Sequence, residues 1–303
     1  MGGLVARQYI QSDNYEEDVD QLIFLGTPHL GAPKAYLMWE GAEMGPFNLL
    51  SLESIRNTIM KFILSQEAHE MGYDNLFEYI RLEPIVSVQQ LLPTYDYIFD
   101  ANVLRTYPTN YPMNSFLEEL NQNIDVLLSS GVEIHNIVGN TEPAQTIGAI
   151  EITDPIGHLP RWEHGYPEDF GSVFGDHGLI LSSGDQTVPL ASANFVDSNL
   201  LVTSFIHGTL PTDTEDIIYK RLTGEDATTL VRENPGVDLK IILIKILSPA
   251  DLLVITPDGK KIGKENSQEV NEIPNAFYTG FNTDTEFITI LNPIDGEYKI
   301  YTE

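Results

Sequence analysis

A chain of 303 residues, 42% hydrophobic and 10% aromatic, has ample apolar content for a packed core, and it exceeds the roughly 250–300 residues at which one core usually stops growing. Its 45 Asp and Glu against 16 Lys and Arg leave a net charge of −29, a surface that repels phosphate backbones and anionic headgroups and argues against nucleic acid as a partner. The absence of cysteine excludes disulfides, thiolate catalysis and Cys-based zinc sites, and no apolar run reaches the ~18 residues of a membrane span.

The chain opens Met1-Gly2-Gly3-Leu4-Val5-Ala6-Arg7 and continues as a helix over 3–11, with Leu4, Val5 and Ile10 as the apolar positions of a helix laid on a sheet. Val19 to Leu25 has the composition of a short buried strand. It ends in the breaker-rich loop Gly26-Thr27-Pro28-His29-Leu30-Gly31-Ala32-Pro33. Helix, strand and Gly/Pro loop in that order are the units of an α/β fold. Over about 35–105 the pattern turns helical, with Ile55, Ile59, Phe62 and Ile63 and then Leu76, Phe77 and Ile80 near helical spacing, and no clear strand up to Asp100. Such an insertion reads either as a cap over a pocket or as a helical layer on the core.

A capping box at Ser115–Glu118 opens a helix expected to run to Ser130 and stop at Gly131. Val132 to Val138 follows as a strand, Thr141 to Asp176 as a turn-rich hairpin excursion, and Leu179-Ile180-Leu181 as an apolar strand leading into Ser182–Leu190. Leu200 to Phe205 is a further strand that delivers His207. A second capping box, Thr212 to Glu215, starts a helix ending near Leu222 and Gly224. After Pro235 the texture changes. Asp238–Leu247, Leu252–Thr256, Phe287–Leu291 and Tyr298–Tyr301 read as strands, punctuated by turns at Asp258-Gly259 and Asp295-Gly296. The expected organisation is an α/β domain over 1–234 with a helical insertion at 35–105, then an all-β, sandwich-like module over 235–303 whose strand pattern is still running at Glu303.

The opening residues carry chemistry. In a nucleophile elbow, G-x-S-x-G, a serine stands on a tight strand-to-helix turn where small residues let the two elements pack closely. A serine before Met1 would make Gly2 the closing glycine and the backbone N–H of Met1 an oxyanion-hole donor. The opening therefore reads as the back half of an elbow, and the chain as one that begins just after its nucleophile. The competing reading is a start residue followed by a flexible Gly-Gly. Acyl transfer by serine also needs a base and a carboxylate to orient it, in the chain order serine, acid, histidine. Asp185 lies in a loop after an apolar strand and His207 after the next strand. Singly, Asp185 beside Gly184 reads as a turn residue and His207 as a structural histidine. In this order, behind an elbow remnant, they read as acid and base.

Five stretches, Met1–Arg7, Leu25–Pro33, Leu91-Leu92-Pro93-Thr94, Gly184–Pro189 and Ser204-Phe205-Ile206-His207, together resemble the lipase and lecithin–cholesterol acyltransferase-like branch of the α/β-hydrolase fold, over residues 1–224. The resemblance implies the C-terminal part of an α/β-hydrolase fold, with Asp185 as triad acid, His207 as general base, the Met1 N–H in the oxyanion hole, and the 35–105 insertion as lid and acyl pocket. It implies hydrolysis or acyl transfer on a lipid or other carboxylic ester with an apolar acyl chain, with no cofactor and no metal. The nucleophile, the strands before it and the second oxyanion donor have no counterpart in the chain, which is therefore expected to be inactive alone. The resemblance does not reach 235–303, which only looks like the β-sandwich appendages of secreted bacterial enzymes. An extracellular or cell-surface location is compatible with the composition, which does not assign one. The alternative is a non-catalytic binding protein, a short form whose β module docks a partner of unknown kind.

Other side chains fall to plainer readings. Glu163, His164, Asp176 and His177 fit no zinc spacing and read as a solvated loop. His29 either lines the expected pocket or shapes its loop, the second reading being preferred. His69, His135 and His158 have no partner pattern, and Met1 has no hydroxyl or thiol with which to act as an N-terminal nucleophile.

Overall fold

A computed structural model of the chain describes residues 1–45, 52–82, 86–172, 175–227, 240–246, 251–274, 276–278 and 286–302. The expected boundary at Pro235, the strand ends at Asp238 and Leu247, and Glu303 lie outside these residues. The fold is mixed α/β with parallel and antiparallel sheets. In chain order its elements begin α1 (Gly2–Ile10), β1 (Gln21–Leu25), α2 (Lys34–Gly41), α3 (Leu52–Glu70), α4 (Leu76–Leu82), α5 (Val86–Gln89), β2 (Ile98–Asp100), β3 (Val103–Leu104), α6 (Ser115–Gln122) and α7 (Ile124–Leu128). There follow β4 (Glu133–Gly139), β5 (Thr146–Thr153), β6 (Tyr166–Pro167), β7 (Leu179–Ser182), α8 (Leu190–Ala193), β8 (Leu200–Thr203), α9 (Leu210–Asp213) and α10 (Glu215–Thr223). Among the described residues seven strands follow: β9 (Ile241–Ile246), β10 (Leu252–Ile255), β11 (Lys261–Glu265), β12 (Gln268–Asn271), β13 (Ala276–Tyr278), β14 (Glu286–Leu291) and β15 (Lys299–Thr302).

Two compact units share these elements: residues 1–54 with 77–232, and residues 55–76 with 233–303. The 35–105 insertion is thus not one body, because 55–76 belongs with the C-terminal unit.

In the first unit a parallel sheet runs β1-β4-β8. Ile10, Phe24, Leu127, Ile134 and Val196 close one apolar cluster against it. Helix α1 buries Leu4, Arg7 and Ile10, three residues apart on one face, while Val5, expected inside, is 63% exposed. One position along a helix is a turn of about 100°, enough to carry Val5 off the face that Leu4 occupies. Gly3 lets this helix approach its strand: a Cβ there would stand 2.1 Å from Thr27 Oγ1 and 2.9 Å from Phe24 Cδ1.

A second sheet, β3-β2-β5-β6 with β7 also paired to β5, holds the excursion after β4. Strand β2 lies in the stretch expected to lack strands; at three residues it is too short to show a period. The excursion is also less wet than its composition suggests, since Trp162 and Phe170 are buried, with Trp162 against Tyr36. The cap of α6 is Asn114, whose side chain accepts from Leu117 N at 3.1 Å, not Ser115, and α6 gives way to α7 at Asn123. The second expected box fails as well, for Thr214 precedes α10 without a side-chain cap and its hydroxyl donates back to Leu210 O at 2.7 Å.

In the second unit the strands form two antiparallel sheets, β12-β11-β10-β15 and β13-β14-β9. Leu252, Val254 and Ile262 from one and Tyr278, Ile288 and Ile290 from the other share a core. Helix α3 joins this unit with the Phe62 ring 4.7 Å from that of Phe277. Strands β11 and β12 escaped sequence reading because Lys, Glu, Gln and Asn fill most of their positions. One carboxyl is sealed inside: Glu286 accepts from Tyr278 Oη at 2.6 Å and from Leu252 N at 2.9 Å.

Candidate active site

Parallel pairing brings the C-terminal ends of β4 and β8 to the same edge, where Asn140 N donates to Thr203 O at 2.8 Å. His207 follows directly from the end of β8. Asp185 arrives by a longer route. The apolar strand at 179–181 that leads to it is β7, which pairs with β5 in the second sheet. The chain leaves the end of β4, makes the excursion and returns, closed by Thr141 N donating to Gly184 O at 2.8 Å. A Cβ on Gly139, the last residue of β4, would lie 2.7 Å from Asp185 Cβ. Asp185 therefore stands at the end of β4 in space, though 46 residues beyond it in sequence.

The loop Gly184-Asp185-Gln186-Thr187-Val188-Pro189 is built around the aspartate itself. Oδ1 accepts from Thr187 N at 3.0 Å and Val188 N at 2.7 Å, an Asx-type turn. Gln186 N donates to Thr146 Oγ1 at 2.8 Å, tying the loop to β5. With Oδ1 engaged by the turn, Oδ2 is left for His207, and Nδ1 of the ring donates to it at 2.7 Å. The backbone repeats the connection: His207 N donates to Asp185 O at 2.8 Å. The side chain of Asp185 is 1% exposed and that of His207 is 37% exposed, so the acid is sealed while the ring remains open to solvent. An ionised carboxylate can only accept, so the neutral ring carries its proton on Nδ1 and leaves Nε2 as an acceptor. Nε2 has no hydrogen-bond partner among the described residues. The arrangement can take a proton from an attacking hydroxyl and hand it to a leaving group.

Gly26, at the end of β1, closes the other side. Its φ is +56°, and a Cβ there would lie 2.8 Å from Asp185 Oδ2 and 3.0 Å from His207 Nδ1. Only a residue without a side chain accepts both that backbone conformation and that proximity. Three residues on, His29 is wholly enclosed rather than lining an open surface, its ring edge-on to Phe24 at 4.7 Å. Burial and the adjacent Arg7 guanidinium hold its imidazole well below the ordinary histidine range. Arg7 is also wholly enclosed, and burial pulls it down to about 10. A charged residue on a helix ordinarily reads as surface. The signal available was its place three residues after Leu4 and three before Ile10, on the inward face.

Met1 stands at the N-cap of α1, 37% exposed, and makes no hydrogen bond to Asp185 or His207. The structure brings Asp185 and His207 together, and Met1 is not joined to them. Among the other histidines, His135 lies between Gln21, Glu133 and Arg221. His158 stacks on Tyr166 at 3.8 Å. His164, read as part of a solvated loop, reaches the buried Glu40: its Nδ1 lies 3.1 Å from Oε1, off the line a hydrogen bond needs, and its backbone N donates to Oε2 at 3.1 Å. Among the described residues no group of three or more His, Asp or Glu side chains is arranged to hold a metal ion. No described helix is long and apolar enough to cross a membrane. Compared with models of protein families, with curated proteins and with solved structures, the chain matches none.

Proposed function

We propose that Asp185 and His207 are the acid and base of an acyl-transfer centre, and that the chain is the C-terminal part of an α/β-hydrolase of the lipase-like branch. The observation that carries this reading is the pair itself: a sealed carboxylate 2.7 Å from Nδ1 of a ring that is open to solvent. Three further features support it. Acid and base lie at the ends of neighbouring parallel strands, the edge where open α/β sheets bind ligands. The helix α1 fits closely on β1 through Gly3, as an elbow helix must. The outer edge of β1 has no partner strand among the described residues, which suits a further parallel strand leading into α1.

In this reading a serine directly before Met1 is the nucleophile and the Met1 N–H one oxyanion donor. The hydroxyl attacks the ester carbonyl while His207 Nε2 takes its proton. The imidazolium, stabilised by Asp185, protonates the departing alkoxide. Water or an alcohol then enters by the same path in reverse and releases the acyl group. The substrate is a carboxylic ester with an apolar acyl chain.

The decisive experiment reads the coding sequence upstream of Met1 and assays the protein it specifies on p-nitrophenyl esters of increasing chain length. The expected result is an in-frame strand ending in serine, ester hydrolysis by the extended protein, and a loss of about 10⁴ in kcat on Asp185→Asn, because the ring then takes the wrong tautomer. An extended protein without hydrolysis, or with hydrolysis indifferent to Asp185→Asn, overturns the reading.

A further inference from the structure

Burying a guanidinium without an anion is costly, and Arg is seldom fully buried unless it is paired. Yet among the described residues no carboxylate pairs with Arg7. Dipoles hold it instead. Nε donates to Gln11 Oε1 at 3.1 Å, Nη2 to Leu120 O at 3.0 Å and to Asn121 Oδ1 at 2.9 Å, and Nη1 to His29 Nδ1 at 3.3 Å. Leu120 and Asn121 belong to the last turn of α6, and Arg7 itself lies in the last turn of α1, where a cation is favoured. Gln11 doubles the stitch, its Nε2 donating to Leu120 O at 2.7 Å and to Asn123 O at 2.9 Å.

A guanidinium has no acceptor, so His29 Nδ1 must accept and the ring proton must sit on Nε2, which has no partner among the described residues. An apolar side chain of similar volume would fill the same place without desolvating a charge. What the planar fork adds is direction, for it fixes α1 against the end of α6 and against the loop 26–33 at once. That loop is pinned along its length: His29 N donates to Thr27 O at 2.9 Å, Leu30 N to Ser192 Oγ at 3.0 Å, and Thr94 N to Leu30 O at 3.0 Å. At its other end is Gly26, in contact range of both the Asp185 carboxylate and the His207 ring.

We infer that Arg7 is a positioning residue for the acyl-transfer centre, acting through His29 on the loop that packs against Asp185 and His207. The inference rests on the acyl-transfer reading of that pair. It is tested on the 303-residue chain by nuclear magnetic resonance of the histidine rings, a readout that needs no turnover. The expected spectrum has a strongly deshielded His207 Nδ1 proton, and a His29 ring in the Nε2–H form that does not titrate between about pH 5 and 8. Arg7→Met should keep a cooperative melt yet broaden or displace the His207 proton, and Arg7→Lys, which returns the charge without the fork, should recover only part of it. His29→Asn, whose Oδ1 stands where Nδ1 accepted, should retain the signal, and His29→Leu should lose it. This second pair decides the matter if Arg7→Met does not fold. The inference is overturned if Arg7→Met and His29→Leu leave the His207 proton and its titration unchanged, or if His29 carries its proton on Nδ1. Asp185→Asn separates the two levels. Loss of the His207 signal in that variant leaves the pair standing even where Arg7 fails, whereas its persistence overturns the pair and the positioning role with it.

Discussion

Each unit closes off an ionisable side chain whose pKa burial shifts, an imidazole in the first and a carboxyl in the second. His29 is enclosed beside a cation, and its imidazole falls well below its ordinary range. Glu286 is enclosed among Tyr278, Leu252 and Asp251, and burial raises its carboxyl above the ordinary range. One cause, the lost hydration of the charged form, moves the two pKa values in opposite directions. The lesson extends to architecture. In the second unit the carboxyl is an exception inside a core of paired strands. In the first, the buried polar groups Arg7, His29 and Asp185 lie where a helix and loops meet, and each holds backbone or another side chain in place.

The largest loss of stability is expected from the apolar core. Ile288→Ala, at the centre of the second unit, should remove about 2–5 kcal/mol, read as lost hydrogen-exchange protection in β9 and β14. Next come two glycines with positive φ, one in each unit. Gly26→Ala should destabilise by about 1–3 kcal/mol and perturb the His207 Nδ1 proton, because strain and crowding act together. Gly259→Ala, whose Cβ would meet nothing within 4 Å, should show the smaller cost of backbone strain alone in the same denaturant melts.

The pH dependences should then run opposite ways. With His29 depressed when folded, its share of stability is complete above about pH 6.5 and is lost as pH falls toward the folded value, at up to about 1.4 kcal/mol per pH unit. Glu286, raised when folded, contributes stability that is complete below about pH 4.5 and is lost as pH rises toward the folded value. Melting temperatures measured across pH for His29→Asn and Glu286→Gln should each flatten one slope and leave the other. Asn114→Ala should lower stability by about 1–3 kcal/mol through loss of the α6 cap and of the buried bond from Nδ2 to Leu92 O, seen as a shift in Tm.

That Asp185 and His207 would meet was legible in their order and in the breaker residues that free their loops. How Asp185 reaches the site was not, because an apolar run does not say which strand it will pair with, and β7 pairs with β5 in the second sheet. The α/β sheet could be read from Val19–Leu25, Val132–Val138 and Leu200–Phe205, whose apolar runs are long enough to count. Strand β2 could not, since its register depends on β5, some 50 residues later. Arg7 escaped because local pattern assigns charge to the surface, and only its tertiary partners explain it. The caps misled by one or two residues: Asn114 takes the place expected of Ser115, and α10 starts after Thr214, whose hydroxyl is spent on Leu210 O.

The neck of the excursion has a consequence for how such a protein can change through evolution. Thr141 donates to Gly184 O from both its backbone and its hydroxyl, Thr146 receives Gln186 N, and Thr146 pairs with Ser182 across the ladder. An exposed turn within a segment tied off in this way, such as that at 155–160, can lengthen or shorten at slight entropic expense, about 0.6 kcal/mol for each doubling. The stem keeps Asp185 where it is. Descendants of this chain can therefore vary that turn while inheriting the pair itself intact.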